Sequence, residues 1–252
     1  MTEKPEFYMS WAIAHEQKSL LTRSIVSVLP AHFLRQLAFE LNMLFVRLRS
    51  RNAQRRFREK TNLLVNIGAG ERGKDGWVNL DGFALKGVNC RFDARRSLPF
   101  RDNSVRGIFA EHFLEHLDYR EEAPGFLSEC YRVLGDKGVL RIVVPDAGKY
   151  LRAYVQDGWQ EIAATRRLDE NLNDYYYPFR YNTKMEVINV IFRQQHEHKF
   201  AYDFETLEFV LKRSGFSNVA RQEFGVSTNP DTCLDWAERA SESLYVDAIK
   251  HV

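Results

Sequence analysis

Two neighbouring stretches, Asn62-Leu-Leu-Val-Asn-Ile67-Gly68-Ala-Gly70 and Gly76-Trp-Val-Asn-Leu80-Asp81, decide the fold. The first is a short apolar run closed by two glycines. The second is a short apolar run that ends in an acid. Continuous apolar runs of this length, bounded by turn residues, read as strands buried on both faces. Working outward, Val88-Asn-Cys-Arg-Phe92-Asp93 is a third strand, again ending in an acid, Val105 to Ala110 a fourth and Gly138 to Val144 a fifth. A helix over 119–134, stopped by Gly135, separates the last two. Residues 147–200 read as helical and rich in tyrosine. Asp203 caps a helix through Arg213, with Gly215 just past its end. Strands over 216–224 and 244–250 follow, with a helix over 231–241 between them. The expectation is an α/β chain with a Rossmann-like, seven-stranded, mostly parallel sheet whose late members are antiparallel.

Upstream of Lys60 the pattern differs. Residues 10–28 and 31–59 read as two helices broken at Pro30, and Leu34, Leu37, Leu41, Leu44 and Leu48 recur at steps of three and four in one apolar stripe. The chain has 252 residues and a formal net charge of +2. Residues 1–60 hold 11 Lys/Arg against 5 Asp/Glu, a net of +6, and the remainder holds 25 against 29, a net of −4. A basic amphipathic helical extension (1–60) therefore precedes a mildly acidic body (61–252) in which 147–202 forms a helical insertion on the substrate side. The arm suits packing on the body, a homodimer contact or a peripheral contact with an anionic membrane. Nucleic acid is less indicated, because aromatics do not interleave with the arginines. Three widely spaced cysteines give no disulfide framework and no metal pair. With no secretory pattern at the start, they point to the cytoplasm, with a peripheral place at the inner membrane face as the alternative. The apolar stretch from Ser19 to Leu48 carries Arg23, His32, Arg35 and Glu40 and is no uninterrupted membrane span.

Gly68-Ala-Gly70-Glu-Arg-Gly73 matches GxGxxG after a strand, a weak signal shared by dinucleotide sites and S-adenosylmethionine sites. Spacing separates the two. A dinucleotide fold needs a whole helix between its first two strands, with the ribose acid about 20 residues beyond the loop. Here Asp81 lies thirteen residues beyond Gly68, too few for a crossover helix and its turns. No helix N-terminus is left to cradle a pyrophosphate, so a ligand without one fits better.

Seven segments then occur in a fixed order: Val65 to Gly70, Gly76 to Asp81, Phe92-Asp93, Leu98 to Val105, His112-Phe-Leu-Glu-His-Leu117, Leu127 to Leu134 and Gly138 to Asp146. In this they resemble the class I S-adenosylmethionine-dependent methyltransferases, closest to a bacterial group of the type 11 family often associated with surface-polysaccharide biosynthesis. His198-Lys-Phe-Ala-Tyr-Asp203 and Ser214-Gly-Phe216 are similar to that group as well. The resemblance covers roughly residues 61–250. It implies S-adenosyl-L-methionine as cofactor, S-adenosyl-L-homocysteine as product, and methyl transfer to a small-molecule or glycan acceptor such as a sugar hydroxyl. An RNA or protein methyltransferase using the basic arm, and a binding protein that has lost turnover, are the alternatives. The resemblance places the backbone of Gly68, Ala69 and Gly70 against the methionine moiety and Asp81 on the ribose hydroxyls. It places Asp93 on the adenine amino group, the Ala94 NH on the adenine ring, and Leu98 with Phe100 as an apolar wall. Asn66 and Glu111 complete the cofactor set.

Two residues depart from the family pattern. Asn66 stands where many members have an acid, which weakens pairing with the ligand's ammonium group. Arg106 stands where an Asp is usual. For proton removal from the acceptor the candidate bases are His112, just beyond the fourth strand, and His198, in a polar segment between two helices. His116 shares a helical face with His112, but no third ligand is signalled and no metal is expected. Glu111 and Glu115 read equally well as a solvated face. Tyr175, Tyr176 and Tyr177 read as a packing cluster or as a platform for a sugar or aromatic acceptor.

Overall fold

The computed structural model describes residues 31–251. The helix expected over 10–28 lies outside the described residues. Two helices come first, α1 (Ala31–Leu48) and α2 (Ser50–Phe57). Then follow β1 (Leu63–Ile67), β2 (Val78–Asp81), β3 (Cys90–Arg91), β4 (Val105–Glu111), α3 (Ala123–Val133) and β5 (Leu134–Pro145). Three helices carry the chain away from the sheet and back: α4 (Ala147–Val155), α5 (Gln160–Arg166) and α6 (Lys184–Arg193). Helix α7 (Phe204–Arg213) and the strands β6 (Asn218–Gln222) and β7 (Ser243–Ile249) complete it. The sheet order is β3-β2-β1-β4-β5-β7-β6. Strands β1 to β5 pair in parallel, and β7 runs antiparallel to both β5 and β6. This is the expected Rossmann-like sheet. Residues 68–77 contain no helix, as their number demanded.

The buried faces follow from composition. Strands β1, β4 and β5 are apolar on both sides, and Val65, Ile67, Ile108, Leu140 and Ile142 are inaccessible to solvent. The main core joins one face of the sheet to α3 and α7 through Phe126, Leu127, Leu207 and Phe216, and Leu98 and Phe100 belong to it. The other face carries a smaller cluster of Trp77, Phe109, Val143 and Tyr245. Helices α4 to α6 make a third cluster of their own around Tyr150, Ile162, Val187 and Ile191. Arg141 on β5 is fully buried between Asp235 (Nη2–Oδ2 2.5 Å) and Asp247 (Nη1–Oδ1 3.0 Å).

The helical readings of 231–241 and 147–200 are corrected, and of the readings open for the arm, packing of the leucine stripe on the body is set aside. The leucine stripe of α1 is not the face that meets the body: Leu41 is 58% exposed and Leu48 75%, while Met43 and Val46 are buried. Polar ties fix the rotation of the helix. Arg47 bonds Asp93, Glu40 bonds Arg95, and Asn42 reaches the Gly82 carbonyl at 3.2 Å. The segment 231–241 forms two 3-10 turns (Pro230–Thr232 and Ala237–Arg239) in place of an α-helix. Between them Asp235 must reach Arg141, and the Trp236 NH must donate to Glu111 at 3.1 Å, and these tertiary contacts override local propensity. The helical stretch over 147–200 is also interrupted, with residues 167–183 irregular.

Candidate functional site

The carboxyl ends of β1 and β2 bring the glycine turn to Asp81. Gly68 and Gly70 have φ of +68° and +53°, the left-handed region that glycine enters without strain. The NH groups of Gly68 and Ala69 both donate to the Leu80 carbonyl, at 2.9 and 3.1 Å. Asp81 holds the turn from the far side, its Oδ2 accepting from the Gly70 NH at 3.0 Å and its Oδ1 from the Phe83 NH at 2.9 Å. Burial raises the Asp81 carboxyl above its ordinary range, against the opposing pull of these NH groups. A Cβ placed on Gly70 would meet nothing within 4 Å, so the backbone there faces open space, whereas one on Gly68 would meet the Phe113 ring at 3.0 Å.

Gly73, the third glycine of the motif, has a different reason to be glycine. A Cβ there would lie 2.5 Å from the Gly87 carbonyl oxygen, so two backbones cross at that point. The short crossover is held by asparagines. Asn79 accepts from the Lys74 NH at 2.9 Å and donates to the Lys74 carbonyl at 3.0 Å, and Asn66 donates to the Arg72 carbonyl at 3.3 Å. Asn66 thus braces the loop from within.

Asp93 and Ala94 follow at the end of β3, and Asp93 is fully engaged. Its Oδ1 accepts from Arg95 N (3.2 Å) and Nε (3.0 Å), and its Oδ2 from Arg47 Nε (2.7 Å) and Arg95 Nη2 (3.1 Å). Burial alone would raise its carboxyl, but the bonds from Arg95 and Arg47 prevail and hold it below the usual range. Ala94 is buried beside it. Leu98 is buried in the main core together with Ala94 and Phe100, its NH donating to Glu129 at 2.7 Å. Helix α1 roofs this end of the sheet: Phe39 meets Phe83 at 5.9 Å between ring centroids, and Met43 packs on Gly82.

The second group lies past β4. Glu111 accepts from Arg72 Nη1 at 2.7 Å and from the Trp236 NH at 3.1 Å, while Arg72 stacks 4.2 Å above the Trp236 ring. His112 has φ +49°, an uncommon value for a side-chain-bearing residue and one held by its surroundings. Its NH donates to the Val143 carbonyl at 2.8 Å, its Nε2 lies 3.0 Å from Ser243 Oγ and its Nδ1 3.3 Å from Glu115 Oε1. His198 comes in from beyond α6, its Nδ1 2.6 Å from the Ile191 carbonyl and its Nε2 3.9 Å from Glu115. The two expected bases therefore flank one carboxylate.

Glu115, read from the sequence as one of a solvated pair, is 1% exposed. Burial pushes its carboxyl up to about 8. Burial likewise depresses the imidazoles, His198 to about 3, His116 to about 4 and His112 well below its ordinary value. A narrow cleft beside them is lined by His112, His198, Tyr176, Tyr177, Arg166 and Glu242. Arg166 forks to Asp174 (2.8 Å) and Glu242 (2.7 Å) beneath the tyrosines, with Tyr176 stacked on it at 4.7 Å. Sequence reasoning had no signal for Arg166 or Glu242. For Glu115 a signal existed in its spacing, three residues beyond His112. Arg106 lies apart from both groups and forms a surface ion pair with Asp231.

Residues 78–142 match the family model described as a methyltransferase domain, type 11. No curated protein matches the chain. Among solved structures, a SAM-dependent methyltransferase from Archaeoglobus fulgidus is 18% identical, with 87% of this chain and 100% of that one covered and a TM-score of 0.42. A complex of the Haloferax volcanii Trm112 methyltransferase activator with its methyltransferase gives 13%, 86%, 93% and 0.43 for the same quantities. The Haemonchus contortus phosphoethanolamine N-methyltransferase 2, bound to phosphomonomethylethanolamine and S-adenosylhomocysteine, gives 13%, 77%, 50% and 0.40. Among the described residues no helix is long and apolar enough to cross a membrane.

Proposed function

We propose that the chain is an S-adenosylmethionine-dependent methyltransferase acting on a hydroxyl of a sugar or glycan precursor. The observation that carries the reading is the placement of Asp81 against Gly70 at the carboxyl edge of a methyltransferase-type sheet. Ligands of open α/β sheets bind at that edge. The residues fit the cofactor: Gly70 faces open space, and each Asp81 oxygen already accepting one NH keeps a further lone pair for a ribose hydroxyl. The Ala94 NH serves the adenine ring. The bound cofactor supplies a methyl already activated on a sulfonium.

The chain's own part is alignment and exclusion of water. His112, at the end of β4 and lining the cleft with His198, is positioned to take the acceptor proton, with Ser243 Oγ 3.0 Å from its Nε2. The stacked Tyr176 and Tyr177 with the charged Arg166 and Glu242 suit a polyhydroxylated acceptor, which offers both faces to stack and hydroxyls to bind. Residues 1–60 act in this reading as an appendage to a catalytic body over 61–252.

The test is calorimetric binding of S-adenosylhomocysteine, followed by transfer of labelled methyl groups to separated sugar-nucleotide, glycan, RNA and protein fractions. Label in the carbohydrate fractions supports the proposal. Label in RNA with steep salt dependence transfers the role to the basic arm. Absence of binding rejects the cofactor pocket.

A further inference from the structure

We propose that Glu115, His116 and His198 form a binding site for one divalent transition-metal cation of the zinc type. One ligand atom from each residue lies within 4.8 Å of the other two. Glu115 and His116 come from the 3-10 turn Leu114–His116 after β4, and His198 from the segment after α6. The Lys199 NH donates to the Glu115 carbonyl at 2.8 Å and locks the two segments together. The His116 and His198 rings meet edge to face with centroids 4.8 Å apart.

The hydrogen bonds within the cluster leave a cation-shaped deficit. Neither Glu115 oxygen has a hydrogen-bond partner among the described residues, although the side chain is buried. A buried carboxylate without donors or a counter-ion is costly and needs one or the other. The two imidazoles cannot supply a donor. Nδ1 of His116 lies 3.1 Å from the Glu197 carbonyl, and Nδ1 of His198 lies 2.6 Å from the Ile191 carbonyl. A carbonyl oxygen only accepts, so in both rings Nδ1 carries the proton and Nε2 keeps the lone pair. This is the tautomer and the outer bond of metal-bound histidine, whose second nitrogen donates to a carbonyl or carboxylate. With Glu115 ionised, His198 Nε2 faces it across 3.9 Å, acceptor against acceptor.

Two nitrogens and one carboxylate oxygen suit zinc and its neighbours and do not suit magnesium or calcium, which take oxygen alone. In a tetrahedral site with bonds of about 2.0–2.1 Å the ligand atoms stand roughly 3.4 Å apart, so the cluster closes by up to about 1.4 Å on loading. Side-chain rotation suffices for that. Arg239 acts on Glu115 as a positive charge, while Glu111 and Glu242 act on it as negative ones. The sequence alone pairs His112 with His116. The structure replaces that pair with a set drawn from two segments, and it removes His198 from the role of base, leaving His112. The inference is independent of methyl transfer, so either can fail without the other.

The experiment uses the full chain, stripped with a chelator and titrated with Zn²⁺ by calorimetry and with Co²⁺ by visible absorption. One equivalent should bind saturably, Co²⁺ should show the intense ligand-field bands of a low-coordinate site, and Zn²⁺ should raise the melting temperature. Glu115→Gln and His198→Ala should each weaken binding by at least about 100-fold, beyond the loss typical of outer partners. His251→Ala, at an exposed position, should leave the stoichiometry unchanged. No saturable single equivalent in the natural chain, or tight binding retained in both variants, overturns the proposal. If the variants do not fold, the stoichiometry and cobalt spectrum of the natural chain decide the matter.

Discussion

Asp81→Asn separates the ligand-binding role of this carboxylate from its structural one. In the folded chain Asp81 accepts from the NH groups of Gly70 and Phe83. An amide keeps one oxygen for one of these and turns its NH₂ toward the other, so one backbone NH loses its partner. At this partly exposed position the cost is about 1 kcal/mol, which for a chain of this size lowers the melting temperature by roughly 2–4 °C. Cofactor binding suffers more. Two ribose hydroxyls donating to an ionised carboxylate are each worth about 1.5–3 kcal/mol, and the variant loses the charge from both and one bond outright. A loss of at least about 3 kcal/mol corresponds to roughly a 100-fold rise in Kd. Calorimetry with S-adenosylhomocysteine, paired with a melting curve, reads the two effects separately. A variant that melts within a few degrees of the natural chain and binds within threefold of it would refute the assignment of Asp81 to the ribose.

Three further outcomes are expected. Gly70→Ala should fold, with about 1 kcal/mol of left-handed strain and no clash, yet bind S-adenosylhomocysteine much more weakly because its methyl group enters the open space before the turn; unchanged binding by calorimetry would place the ligand elsewhere. Arg141→Met leaves Asp235 and Asp247 buried without their counter-ion, so a loss of about 3–5 kcal/mol and a melting temperature lower by roughly 10 °C should appear in a thermal scan. Asp93, whose folded carboxyl sits below its unfolded value, adds stability above about pH 4 that disappears as pH falls through the folded value. Arg47→Ala should therefore move the acid-unfolding midpoint to higher pH, and an unmoved midpoint would show that Arg95 alone sets it.

Elements whose identity depends on local chemistry were legible in the sequence. The strand end at Asp81, the glycine turn and the missing crossover helix all follow from residue type and spacing over a dozen positions, whereas the third strand, expected over 88–93, is only Cys90–Arg91. Features set by distant partners were not. The leucine periodicity of α1 is real, but which face meets the body depends on Arg47 finding Asp93 and Glu40 finding Arg95. Helix propensity over 231–241 loses to Arg141, a residue far away in the chain that requires Asp235 in an extended turn. Glu115 is hydrophilic by type, and its burial arises only when the segment at Lys199 closes over it. His116 and His198 share no local pattern for the same reason.

Asp81, which ends β2, and Asp93, two residues past β3, read alike in the sequence and differ in the fold. Asp81 has backbone NH partners and, among the described residues, no ion pair, so its carboxylate is not neutralised at the edge of the sheet. Asp93 receives four hydrogen bonds from two arginines, and a carboxylate has about four lone-pair sites in all. An adenine amino group could join Asp93 only by displacing one of those bonds, and the exchangeable one comes from Arg47, since Arg95 is itself buried and tied to Glu40 and Glu122. Arg47 sits on α1, the helix that also lays Phe39 and Met43 over Phe83 and Gly82. The seating of α1 and the occupation of the adenine end are thus coupled through one carboxylate. The described part of the basic arm is joined to the body beside Asp93 through Arg47, an ion pair whose acid is buried.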